Sequence, residues 1–131
     1  LSETFFNLRT VIAASTYCNS WAFEEYDGGD PLWWMAKTAT EIFINRDEAT
    51  KQSFLVEMFR QFDIDGAIFH NARTCPNNTN SRFGMAQRLR EQFDMPVLVL
   101  DGDLSDVRFF STAQTLTNIE AFIEQLEERK R

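Results

Sequence analysis

Apolar residues along the chain recur at two spacings. Phe54, Leu55, Met58, Phe59 and Phe62 follow one another at helical steps, which predicts an amphipathic helix opened by Asp47. Leu116, Ile119, Phe122, Ile123 and Leu126 do the same and predict a last helix over about 111–128. Met85, Leu89 and Phe93 mark one side of a helix over about 81–93. Asp30-Pro31 sets a capping residue before a proline at the first helical position, so a helix is expected from there to about residue 43. Residues 2–8 read as the end of a helix. Three short runs have no helical period: residues 10–15 (TVIAAS), 67–70 (AIFH) and 97–100 (VLVL). Each reads as a buried strand. The polar stretches 16–29, 71–79 and 101–106 read as loops.

Strands alternating with helices predict an α/β fold, a three-layer sandwich in which a mostly parallel sheet is flanked by helices, Rossmann- or flavodoxin-like. No repeat or linker interrupts the pattern, so residues 1–131 are expected to form a single domain. Length agrees, since 131 residues fit one domain. Hydrophobic residues make up 44% of the chain, and 13 Phe with 3 Trp make the expected core unusually aromatic.

Charge narrows the function. A formal net charge of −7 leaves no basic stripe to neutralise phosphates, so no nucleic-acid partner is expected. It also disfavours an anionic membrane surface. No apolar run approaches the roughly 20 residues of a membrane helix. Residues 1–9 lack the basic start and apolar stretch of a signal peptide. Two cysteines in an acidic chain without such a signal point to a reducing compartment, so a cytoplasmic location is expected.

Ligands of open parallel sheets bind outside the carboxyl ends of the strands. Three loops leave those ends in the expected topology. The first carries Tyr17-Cys18-Asn19-Ser20-Trp21, the second His70 to Cys75, the third Asp101-Gly102-Asp103. Cys18 and Cys75 are thereby expected on one edge of the sheet. Two thiols there have several meanings: small buried hydrophobes, a disulfide, or part of a metal site. Zinc wants four nitrogen or sulfur ligands, and the single histidine, His70, lies five residues before Cys75. There is no CxxC pair. An iron–sulfur cluster takes thiolates, usually four, so two cysteines would leave the set incomplete. Arg73 reads equally as a partner for negative charge and as a solvent-facing loop residue. Asp101, Asp103 and Asp106 lack the calcium-loop pattern and read as turn and helix-capping residues, with Arg108 available to pair with one of them. Trp21, Trp33 and Trp34 read as packing or interface residues.

Residues 65–75 (DGAIFHNARTC), residues 95–103 (MPVLVLDGD) and the segment from Gln114 to Phe122 stand in an order and spacing that matches one family. Together they resemble the 2-hydroxyacyl-CoA dehydratase and benzoyl-CoA reductase family. The shared pattern is a strand, Arg-Ser/Thr-Cys, a helix, a proline-led strand ending at an acid, Asp-x-x-Asp-x-Arg, and a helix containing Glu-Ala-Phe. The resemblance covers most of the chain. It implies that Cys75 is the last cysteine ligand of a [4Fe–4S] cluster and Cys18 the preceding one. The first ligand would lie in an earlier domain outside this sequence. His70, Arg73 and Asn19 would then lie around the cluster; taken by itself, His70 reads first as a satisfied structural histidine. Three departures stand out. Asn118 follows Thr117 where the family often has arginine, Asp101 stands where glutamate is common, and Pro76 follows Cys75. The aromatic setting of Cys18 leans toward the reductase branch.

The resemblance thus implies a C-terminal domain of an anaerobic enzyme subunit, inactive when isolated. Its expected partners are the N-terminal domain of the same subunit, a homologous partner subunit, an ATP-dependent activator protein and an acyl-CoA substrate. The competing expectation is a non-catalytic α/β binding or assembly module whose two cysteines carry no metal.

Overall fold

A computed structural model describes residues 2–23, 25–79, 83–103 and 105–131. The elements in chain order are α1 (Ser2–Asn7), α2 (Thr16–Asn19), α3 (Pro31–Glu41), α4 (Glu48–Gln61), β1 (Ala67–Ala72), α5 (Met85–Phe93), β2 (Val97–Gly102) and α6 (Thr112–Arg129). Short 3-10 turns occupy Phe43–Asn45, Pro76–Asn78 and Val107–Phe109.

Local chemistry sets the helix starts. The Asp30 carboxylate accepts from the backbone N–H of Leu32, with Pro31 just inside α3. Asp47 accepts from Thr50 N–H at the start of α4, and Ser111 from Gln114 N–H at the start of α6. Each cap satisfies one N–H that the first helical turn leaves without a partner. Before α5 stands Gly84 in the left-handed region, with φ 77°. A right-handed helix cannot run through that conformation, so α5 begins at Met85. The expected start at residue 81 lies outside the described residues.

β1 and β2 pair in parallel, in register from Ala67 opposite Val97 to Ala72 opposite Gly102. The connection between them is α5, the crossover that a parallel pair requires. Alternate residues face opposite sides. Ala67, Phe69, Val97 and Val99 join Phe43, Leu55, Phe59, Met85 and Leu89 in one cluster under α4 and α5. Leu98 and Leu100 join Ile119, Phe122 and Ile123 of α6 on the other face, with Phe5 and Leu8 from the α1 segment. Gly66 lets the chain enter β1 beneath α6: a Cβ there would stand 2.8 Å from Phe122 Cζ and 2.9 Å from Leu126 Cδ2.

The architecture is therefore α/β, with a parallel sheet and helices on both its faces. Its sheet is smaller than expected. Among the described residues only β1 and β2 form a sheet, and residues 10–15 take no regular structure and join no ladder. An apolar, β-branched run favours extended backbone, but a strand also needs a neighbour for its N–H and C=O groups. Here Val11 is 85% exposed and Ile12 64% exposed. Residues 16–29 are also not all loop, since α2 makes one helical turn inside them.

Helix faces follow the expected stripes with three differences. Phe54 sits at an exposed rim of α4, Phe93 is exposed at the end of α5, and Lys51 is buried in the α4 stripe at 6% exposure. Its ammonium lies 5.7 Å from the centre of the Phe43 ring, a cation–π distance. Met85, Leu89 and Ile119 are the largest fully buried side chains among the described residues. Leu89→Ala is expected to destabilise the fold by about 3 kcal/mol, from lost burial and the cavity left behind. Urea unfolding of both proteins measures it.

Candidate functional site

The carboxyl ends of β1 and β2 lie side by side, so the residues that leave them are forced together. Asn71 stands opposite Asp101 in the ladder, and its Nδ2 donates to Asp101 Oδ1 at 3.1 Å. Arg73 N–H donates to the Gly102 carbonyl at 3.2 Å, continuing the ladder one step past β1. The Arg73 guanidinium then lies 4.6 Å from the centre of the Phe109 ring and 3.9 Å from Asp101 Oδ2. Arg73 is thus braced against the β2 exit by an aromatic face and a carboxylate, on a half-exposed surface where the ion pair adds little by itself.

Asp103 fastens the next residue. Its Oδ2 accepts from Thr74 N–H at 2.9 Å and from Thr74 Oγ1 at 2.8 Å. Its Oδ1 accepts from Ser105 N–H at 2.9 Å and from Asp106 N–H at 3.1 Å. One carboxylate therefore closes its own turn and holds the residue before Cys75. Cys75 N–H bonds back to Ala72 O at 3.1 Å. Beyond it, Thr79 Oγ1 reaches Ala72 O at 2.8 Å and Cys75 O at 3.0 Å. The Cys75 turn is held from both sides, and its thiol is half-buried and free.

His70 is exposed and spreads across Gly102, where an added Cβ would meet its Nε2 at 2.5 Å. Glycine at the end of β2 is what leaves room for the imidazole. The His70 imidazole has no hydrogen-bond partner among the described residues.

Cys18 is placed differently from the expectation. It sits in the one-turn helix α2, exposed, rather than at the end of a strand. Without a first strand in the sheet, topology alone no longer puts Cys18 on the edge that carries Cys75. Asn19 serves the local fold: its Oδ1 accepts from Ser15 N–H at 3.0 Å. The segment after Cys18 has another neighbour. Asn19, Ser20, Ala22 and Phe23 line a cleft of about 210 Å³ with Phe43, Arg46 and residues of α3 and α4. The turn Phe43–Asn45 in turn packs against Pro76–Asn78, just after Cys75. Both cysteine segments thus border the same turn.

The donor set fits thiolate ligation in kind and falls short in number. Cys18 and Cys75 are both free, and neither is locked in a disulfide. Among the described residues no three His, Cys, Asp or Glu side chains converge on a point that could hold a metal ion. A cluster with the usual four thiolates would need ligands from beyond these two.

Asp103 and Asp106 take the capping roles read from sequence, and Arg108 pairs with Asp106 at 2.6 Å. Trp21 and Trp33 are exposed, and Trp34 meets Tyr26 in a tilted ring contact with centroids 5.9 Å apart. Sequence reasoning missed the Thr74–Asp103 bonds and the stacking of Arg73 on Phe109. They join residues far apart in the chain, and only the paired strands bring them together. It also missed buried Lys51.

These contacts predict an acid response. The Ser105 backbone N–H, helped by the Thr74 hydroxyl and further backbone donors, holds the Asp103 carboxyl down to about 2 from an ordinary 3.8. Asp47 is lowered chiefly by Thr50 N–H, Asp94 by Arg129 and Asp106 by Arg108. Folded-state values below the unfolded ones mean stability that is complete above the unfolded value and lost as pH falls through the folded values. Stability is expected to drop between about pH 4 and pH 2, and Asp103→Asn is expected to flatten part of that drop. Denaturant midpoints across this range test it.

Comparison with known proteins covers nearly the whole chain. The profile of the 2-hydroxyglutaryl-CoA dehydratase D-component family matches residues 1–126. The alpha subunit of lactoyl-CoA dehydratase from Anaerotignum propionicum is 30% identical over 122 residues, 92% of this chain and 29% of that protein. The alpha subunit of (R)-2-hydroxyisocaproyl-CoA dehydratase from Clostridioides difficile is 33% identical over the same extent of each. A benzoyl-CoA reductase subunit from Thauera aromatica is 19% identical over 132 residues, 98% of this chain and 31% of that protein. The chain thus spans about three-tenths of the length of these curated relatives. Among the described residues no helix is long and apolar enough to cross a membrane. With the strand, Arg-Thr-Cys turn and acid-ended second strand in the order the sequence led us to expect, the chain belongs to the 2-hydroxyglutaryl-CoA dehydratase D-component family.

Proposed function

We propose that this chain is part of an iron–sulfur subunit of an anaerobic acyl-CoA dehydratase, with Cys18 and Cys75 supplying two of the thiolates for a [4Fe–4S] cluster. The observation that carries it is the family match over residues 1–126, within which Cys75 is a free thiol in a turn clamped at the sheet's carboxyl edge. Identities of 30% and 33% to the dehydratase subunits, against 19% to the reductase subunit, support the dehydratase branch over the lean toward the reductase.

When bound, such a cluster supplies low-potential one-electron chemistry to a CoA thioester, with the electron coming from an ATP-dependent activator protein. The chain's own residues have plainer tasks. Cys18 and Cys75 present thiolates. Arg73, braced on Phe109, offers positive charge next to Cys75 against the net negative charge of a thiolate-bound cluster. His70, exposed and without a partner among the described residues, is available as a hydrogen-bond donor on the same edge. The remaining ligands come from the earlier domain of the subunit, and a homologous subunit completes the enzyme. Val11, Ile12, Tyr17, Trp21, Leu32 and Trp33 are each exposed and are available for those partners to cover.

A second reading has an observation in its favour. Cys18 is exposed, and no three metal-binding side chains converge among the described residues. A non-catalytic α/β module without metal would look the same. Iron content of the anaerobically purified parent subunit with its partner decides between them. Cys18→Ala and Cys75→Ala are each expected to lose about one cluster's worth of iron and its absorbance near 400 nm. Unchanged iron in both variants means the thiols are structural and the module without metal is correct.

A further inference from the structure

A ligand role for Cys75 requires that something fix where its thiol sits. Backbone pairing ends at Arg73 N–H to Gly102 O, so the ladder itself does not reach Cys75. The next fixed point is Thr74, and everything that fixes it from outside its own turn comes from one group. Asp103 Oδ2 takes both donors of Thr74, its N–H at 2.9 Å and its hydroxyl at 2.8 Å. Asp103 is itself immobilised, because Oδ1 takes the N–H groups of Ser105 and Asp106. A carboxylate with both oxygens engaged by two donors each has little freedom to move, and hydrogen bonds to an ionised acceptor are the stronger kind.

We infer that Asp103 is a positioning residue for Cys75: it clamps Thr74 to the β2 exit and thereby sets the placement of the neighbouring thiol. Its significance for the cluster rests on the ligand role proposed above, but the clamp itself does not. Asparagine in its place keeps one acceptor oxygen and exchanges the other for a donor, which would face the donors of either Thr74 or the Ser105 turn. The clamp then fails on one side whichever way the amide turns. Released from Asp103, residues 73–75 keep the Arg73 and Cys75 backbone bonds, the Arg73 contacts with Phe109 and Asp101, and the Thr79 contacts, but Thr74 itself loses its anchor, and the half-buried thiol opens more often to solvent.

Iodoacetamide alkylation, resolved peptide by peptide, tests this on the purified protein freed of iron and kept under reductant. Cys18 in the same sample is the internal reference. Cys18 is already exposed and so reports only reagent and conditions, and the urea midpoint of each variant separates general loosening from release of the Cys75 turn. Asp103→Asn is expected to raise the Cys75 rate about tenfold relative to Cys18, the order expected for losing charge-assisted hydrogen bonds from the closed state. Thr74→Val, which removes only the hydroxyl donor, is expected to raise the ratio by less, and Thr74→Ser to leave it as in wild type. Thr74→Val also carries the test should Asp103→Asn fail to fold. An unchanged ratio in a folded Asp103→Asn or Thr74→Val protein overturns the inference. On the iron-loaded protein, Asp103→Asn is further expected to release iron to a chelator several-fold faster. If alkylation responds while Cys75→Ala leaves iron content untouched, the clamp stands and the ligand assignment is what has failed.

Discussion

The parallel pairing of β1 with β2 is the constraint on which the rest of this molecule depends. Two short parallel strands bury too little alone, so they persist only with apolar cover on each face. Phe69, Val97 and Val99 meet α4 and α5 on one side, and Leu98 and Leu100 meet α6 on the other. The same register that sorts these side chains brings Ala72 opposite Gly102. It is this last pairing that puts Thr74 within reach of Asp103, Arg73 within reach of Phe109, and His70 over a glycine.

The site is a consequence of strands that end together. Polar groups that leave the carboxyl edge of a parallel sheet must find partners among themselves or in a ligand. Here most of them are mutually engaged: Asn71 with Asp101, Thr74 with Asp103, Arg108 with Asp106. Among the described residues the Cys75 thiol, the His70 imidazole and the outer face of Arg73 remain uncommitted. That division, between residues that hold the edge and residues held up by it, is how the geometry supports the thiolate role proposed for Cys75.

Much of this was legible in the sequence where a single local rule decides the outcome. Asp30, Asp47 and Ser111 open helices because a side-chain oxygen close in sequence reaches a free N–H. The runs beginning at Ala67 and Val97 become strands because each has the other beside it. Residues 10–15 carry an equally convincing run, yet they join no ladder. Composition reports a preference for extended backbone and is silent about who stands next to it. Likewise Asp103 was readable as a turn former from its neighbours Ser105 and Asp106, but not as the anchor of Thr74, 29 residues away. Lys51 escaped notice because a lysine in an apolar stripe is ordinarily solvent-facing, whereas here the Phe43 ring covers it.

The central claim is that the segments of Cys18 and Cys75, which border the common turn Phe43–Asn45, serve one ligand set. Dibromobimane, which fluoresces strongly when it bridges two nearby thiols, tests it on the iron-free subunit. The account predicts an intramolecular bridge between the Cys18 and Cys75 peptides that disappears when iron is bound first. Separate single-thiol adducts on the two cysteines, indifferent to iron, would contradict it.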